Sequence, residues 1–198
     1  MCLGLSPQRY KKLHGLAFQG IGAPNGLIID AYGPVPGHNN DLHVLNVSNA
    51  LARLQTLFTA ANGIRTAMGA AVRRFRCYGD SIYPPSAVIS RRRRMPPLSA
   101  AHLAQNSRVN ASRTSIEWTF GKVNHLWRHI DLPRQMKLQH CPIGVGKLFT
   151  CGHILTNLHT TLYGSQTGLY FQVAPPTLED YLSGISTPQQ EPLVDLDW

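Results

Sequence analysis

From residue 12 to Gly20 (KLHGLAFQG) apolar and polar positions partly alternate, the two-residue period of a strand. Ala23-Pro24-Asn25-Gly26 supplies an Asn-Gly turn of the kind that joins hairpin strands. Residues 27–32 (LIIDAY) give the return strand, which Gly33-Pro34-Val35-Pro36-Gly37 is expected to break. Asn39, Asn40 or Asp41 then offers a short polar side chain to cap a helix. Leu45, Leu51, Leu54, Leu57 and Phe58 follow at helical spacing, predicting one apolar face through about residue 60.

Beyond a stretch of small and basic residues, residues 75–79 (FRCYG) read as a short strand ending on Gly79-Asp80. Residues 84–107, with their paired prolines and four consecutive arginines, read as irregular. A second helix is predicted from about Arg108 to His129, with Val109, Ile116, Phe120, Val123 and Trp127 on one face. A third is predicted over 144–162, followed by a short apolar piece (LYFQV). The order of hairpin, helix, strand, loop and two helices predicts an α/β chain with helices packed on a small sheet. One domain is expected over 1–183, with an acidic, disordered tail over 184–198.

Charge changes the picture. The 198 residues carry 19 Lys and Arg against 10 Asp and Glu. Every base lies in residues 1–147, a segment with five acids and a net +14, whereas residues 148–198 carry −5. A polyanion is the natural partner of such a body, and nucleic acid the commonest, because each base set against a phosphate releases counterions; the alternative is a basic protein kept soluble by its charge. No stretch approaches the roughly 18 apolar residues of a membrane span, and the N-terminus lacks a signal-peptide pattern. The chain is therefore expected to be nuclear or cytoplasmic rather than secreted, with Cys2, Cys77, Cys141 and Cys151 reduced.

Because acids are scarce in the basic body, each one raises a question of purpose. Asp80 closes a strand and Glu117 sits on a helix, both in apolar, aromatic-flanked surroundings (RCYGDSIYP and TSIEWTFG). Carboxylates so placed can converge on a divalent metal, for which magnesium uses hard oxygen ligands. By spacing alone the signal is weak.

Four segments narrow it. KKLHGLAFQGIGAPNGLI, YGPVPGHNNDLHVLNVSNAL, CYGDSIYP and SRTSIEWTFGKVNHLW together resemble, in family order, the DDE superfamily endonuclease domain of PIF/Harbinger-type transposases. The likeness runs from about residue 10 to about 182. It implies an RNase H-like fold, a mixed sheet flanked by helices, and a nuclease dependent on Mg²⁺ or Mn²⁺ that uses three carboxylates. Asp80 matches the second acid and Glu117 the third. Asp41 matches a recurring acid of the turn–helix junction, with a role near the metal or in capping. The resemblance also implies DNA as partner, and a separate Myb-like DNA-binding protein.

The family's first Asp lies on a strand before the hairpin, yet residues 1–9 (MCLGLSPQR) contain no acid. The expectation is a domain truncated at its N-terminus, lacking the first catalytic strand, and a poor nuclease. Asp30, on the hairpin's second strand, is too far from the site to replace it. The alternative is a non-catalytic remnant that binds nucleic acid or a protein partner.

Arg91, Arg92, Arg93 and Arg94 could grip DNA phosphates, act as a nuclear import signal, or form a solvated loop. Arg113, four before Glu117, could bind phosphate, orient the carboxylate, or make a plain helix-surface ion pair. His125 and His129 stand at a spacing that metal sites use but have no evident third ligand, and His140-Cys141 with Cys151-x-His153 matches no common zinc finger; helix surface and core are the readings preferred for them. Trp118, Phe120 and Trp127 could stack on bases, although helical spacing favours core.

Overall fold

The computed structural model describes residues 2–5, 16–36, 39–67, 75–93, 97–130 and 144–185. Five strands form one sheet: β1 (Cys2–Leu5), β2 (Leu16–Gly22), β3 (Ile28–Pro36), β4 (Cys77–Gly79) and β5 (Ile89–Ser90). Six helices are described: α1 (Asp41–Val47), α2 (Ala50–Ala67), α3 (Ala100–Leu126), α4 (Val145–Tyr163), α5 (Gln166–Phe171) and α6 (Leu178–Ile185). The strand order is β3-β2-β1-β4-β5. β1 pairs antiparallel with β2 and parallel with β4, and β4 pairs parallel with β5.

This corrects the expectation that the first strand is missing. Cys2–Leu5 supplies it, in the middle of the sheet. Four residues with no polar alternation are too short for periodicity to reveal. What the strand lacks is an acid, since it reads Cys-Leu-Gly-Leu.

The β2–β3 hairpin closes through the expected turn, where Gly26 takes φ +86° and its N–H donates to the Ala23 carbonyl. β3 does not break at Gly33; it runs on to Pro36. Because β3 is an edge strand, Pro34 and Pro36 need no N–H toward a further neighbour. Asn157 of α4 also fastens this edge: its Oδ1 accepts from Ile28 N and its Nδ2 donates to Ile28 O, each at 2.8 Å.

β2 is buried on both faces, and its alternation divides the core in two. Ile21 faces α1 and α2 with Leu45, Leu54, Phe58, Cys77, Tyr83 and Ile89. On the opposite face Phe18 packs with Ile28, Val123 and Phe149. Gly20 and Gly22 lie directly beneath Phe120 and Ile116, so α3 rests on the sheet where β2 has no side chains.

The first predicted helix is in fact two. Asn40 caps α1, accepting from His43 N at 2.7 Å, and the chain breaks at Asn49, whose φ is +52°. Leu45, Leu54 and Phe58 are buried as expected, but Leu57 is exposed. α3 begins at Ala100 rather than near 108, because Ser99 and His102 form a reciprocal capping box. β5 and the start of α3 therefore replace part of the predicted loop, and the LYFQV segment contributes to helix α5.

Cys77 is buried, whereas Cys151 is exposed and not the core residue expected. Residues 12–15 of the predicted strand, Arg94, His140, Cys141 and the tail beyond residue 185 lie outside the described residues. Among the described residues no helix is long and apolar enough to cross a membrane.

Candidate active site

The site lies at the C-terminal end of the parallel strand β4. Asp80 is the first residue beyond that strand, where a side chain leaves the sheet for solvent. Its Oδ1 accepts from Ser81 N at 2.6 Å and from Ser81 Oγ at 3.2 Å, so the carboxylate is turned by its own successor. Glu117 lies on α3, the helix that crosses this part of the sheet.

One guanidinium reaches both acids. Arg113 Nη1 stands 3.6 Å from Asp80 Oδ1, and Arg113 Nη2 stands 3.4 Å from Glu117 Oε1. All three side chains are about half exposed, at 48% for Asp80, 58% for Glu117 and 53% for Arg113, so solutes can reach them. A pair of carboxylates from two elements, joined by a cation from one of them, is more than the helix-surface i,i+4 contact that the spacing of Arg113 and Glu117 alone would suggest.

Asp41 takes a different place. It opens α1, where an acid interacts favourably with the N-terminal end of the helix. Tyr83 connects it loosely to Asp80. The Tyr83 hydroxyl is pushed far above the usual tyrosine value by burial, and the charges of Asp41 and Asp80 push the same way while the Gln19 side chain pulls back. Tyr83 thus stays neutral beneath the site. Sequence reasoning missed both Ser81 and Tyr83, although the GDSIYP segment holds them within three residues of Asp80.

The arginines border this site. Arg91 Nη1 donates to the Ser81 carbonyl at 3.1 Å, one residue from Asp80. Arg92 is exposed. Arg93 is fixed through its backbone: its N–H donates to Asn106 Oδ1 at 2.8 Å, and Asn106 Nδ2 donates to its carbonyl at 3.0 Å. Arg91–Arg93 therefore leave β5 along a path anchored to α3, with Arg91 beside Asp80 and the Arg93 guanidinium 3.0 Å from His102 Nε2 at the start of α3.

The register shows which position a third acid would occupy. Gly20 and Gly22 face α3, and their partners on β1 are Gly4 and Cys2, so positions 2 and 4 lie on the α3 side of the sheet. Leu3 is level with Gly79, so one step further puts position 4 level with Asp80. Position 4 is glycine. Asp30 cannot substitute: it lies on the edge strand β3 and is paired with Arg53 at 2.6 Å.

Among the described residues no group of three or more His, Cys, Asp or Glu side chains forms a metal cluster. Asp80 and Glu117 nevertheless suit a single hard cation, which can be held by two carboxylates, waters and a substrate phosphate. They do not suit a pair of cations. His125 and His129 are exposed on and just beyond the end of α3. His153 is a core residue, stacked edge-on against Phe149 at 4.5 Å. Phe120 is buried, and Trp127 is half-buried with its indole N–H donating to Thr156 Oγ1 at 2.9 Å, which leaves neither free to stack on a base.

No curated protein and no solved structure matches the chain. A family model described as DDE superfamily endonuclease matches residues 6–157, more than half of the sequence and inclusive of Asp41, Asp80, Arg113 and Glu117, and the chain belongs to that family.

Proposed function

We propose that this chain is a transposase-derived DDE nuclease domain of the PIF/Harbinger type, with an RNase H-like sheet, that binds DNA across the Asp80–Glu117 pair and is impaired in cutting it. The observation that carries the reading is the acid pair itself: a strand-end Asp and a helix Glu joined by one arginine. The strand order, with β1 between β2 and β4, supports the RNase H-like reading.

Asp80 and Glu117 would hold the cation, Mg²⁺ or Mn²⁺, with Asp41 in a supporting place. When bound, that cation supplies Lewis-acid polarisation of the phosphodiester and a reactive water. The chain's own residues position the substrate. Ser81 orients the Asp80 carboxylate, and Arg91, Arg92, Arg93 and Arg94 line the backbone of the DNA with positive charge. Hydrolysis or strand transfer is impaired because β1 has no carboxylate to complete the triad. The same feature favours a second reading, a non-catalytic remnant that keeps only the nucleic-acid surface. Nuclear residence and a Myb-like partner belong to this proposal as consequences of the transposase lineage.

The shared element of both readings is phosphate binding by the arginines. A fluorescence-anisotropy titration of a labelled duplex between 50 and 200 mM salt tests it. Replacing Arg91, Arg92 and Arg93 by Gln should weaken binding and lower the log–log salt slope by roughly two to three, about 0.9 per lost phosphate contact. Asp80→Asn should leave affinity unchanged or raise it, since it removes negative charge. A triple variant with the parent's slope would overturn the proposed DNA surface.

A further inference from the structure

Arg113 presents a chemical conflict with the cation its neighbours would hold. Its guanidinium stands against Asp80 Oδ1 and Glu117 Oε1, on the two carboxylates that would hold a divalent cation. Two cations cannot share those oxygens at close range without strong mutual repulsion. Without Arg113, in turn, two carboxylates from β4 and α3 would face one another as like charges. The arginine therefore offsets the repulsion between the pair before any metal arrives.

We propose that Arg113 is a built-in counter-cation: it occupies the acid pair in the metal-free protein, metal entry must displace it, and a DNA phosphate lowers the cost of that displacement by receiving the guanidinium. The inference rests on the reading of Asp80 and Glu117 as a metal-binding pair. Its chemistry follows from the side chain. A guanidinium cannot give up its proton to vacate the site, and its planar fork suits phosphate as well as carboxylate. The half-exposed α3 surface leaves it room to turn. By linkage, a phosphate that draws Arg113 away must tighten metal binding, and metal must tighten phosphate binding by the same factor. Arg113 is thus a positioning residue that couples metal to DNA, and in their absence it neutralises part of the site.

The test is Mn²⁺ binding by the full chain, followed through the electron paramagnetic resonance signal of free Mn²⁺ at low salt. Wild type, Arg113→Gln, Arg113→Lys and Glu117→Gln are compared, each shown to be folded by circular dichroism. Arg113→Gln should bind Mn²⁺ about three- to tenfold tighter than wild type, the scale expected for losing one partly screened charge. Arg113→Lys should stay near wild type, and Glu117→Gln should lose the site. Adding a short duplex, with the Mn²⁺ taken up by DNA alone subtracted, should tighten binding in wild type and much less in Arg113→Gln. An Arg113→Gln chain that binds Mn²⁺ no tighter than wild type would overturn the proposal, as would the lack of any Mn²⁺ binding that Glu117→Gln removes. Failure of the nuclease reading is separate: Mn²⁺ binding that follows this pattern in a chain that never cuts DNA supports the counter-cation and retires the hydrolysis.

Discussion

On the proposed reading of an incomplete acid triad, Gly4→Asp should give metal-dependent nicking at a rate about a hundredfold or more above wild type. Position 4 lies on the α3 side of the central strand, because its partner across β2 is Gly20, which sits under Phe120. It is also one step beyond the Leu3–Gly79 pairing, level with Asp80. An aspartate there adds a third carboxylate beside Asp80 and Glu117, on the strand that the family uses for its first acid. Lewis-acid stabilisation at a phosphodiester is worth several kcal/mol, and each 1.36 kcal/mol is tenfold in rate, which sets the expected gain. Gly4→Asn is the uncharged control, and Gly4→Asp with Asp80→Asn should return to the wild-type level. If folded Gly4→Asp nicks no faster than Gly4→Asn, the missing carboxylate is not what limits this chain.

Acid should destabilise the domain as pH falls from 6.5 toward 4, and His153 should be the largest single cause. Its ring is 4% exposed, packed against Phe149 at 4.5 Å and Phe120 at 5.9 Å, and neither ring nitrogen has a hydrogen-bond partner among the described residues. Burial without a partner pushes its pKa down from 6.5 to about 4. The folded state therefore holds the ring neutral over a range in which the unfolded chain takes up a proton. Stability is full above pH 6.5 and is lost progressively as pH falls toward 4, by about 3 kcal/mol at 1.36 kcal/mol per unit. His159, also lowered by burial, adds a smaller loss of the same sign. Urea unfolding at pH 7, 6, 5 and 4.5 checks this. His153→Phe should flatten the decline and cost little at pH 7, since an apolar ring replaces two unsatisfied nitrogens. An equally steep decline in His153→Phe would place the acid sensitivity elsewhere.

The parts of this fold that were legible are those with long, regular patterns. The hairpin turn at Asn25-Gly26, α3 with its Ile116–Phe120–Val123 face, and α4 all follow from periodicity and turn chemistry. Three kinds of feature were hidden. β1 and β5 have four and two residues, too few to show a period, and are strands only because neighbours pair with them. β3 passes through two prolines because it is an edge, a fact of topology that local signals cannot carry. The break between α1 and α2 depends on Asn49 adopting a left-handed conformation inside a continuous apolar stripe.

For the site, Asp80 and Glu117 were identified from the residues that flank them, and Arg113 was read as one of three things. Its bridge to both acids follows from where α3 lies over the sheet, which is set by the glycines of β2 rather than by anything near Arg113 in sequence. Asp41 looked equally plausible as a ligand or a helix-end acid. Its place at the first turn of α1, with Asn40 as the cap, gives it a helix-end role.

The central claim is that Asp80 and Glu117 form a DDE-type site that lacks its third acid. Nicking of supercoiled plasmid by the folded wild-type chain with Mg²⁺ or Mn²⁺, beside Asp80→Asn and Glu117→Gln, tests it most directly. The account predicts wild-type nicking no more than marginally above the two variants, from a protein that binds the same DNA. Robust, metal-dependent nicking by wild type that both substitutions abolish would contradict it, and would mean that another group already supplies the third ligand.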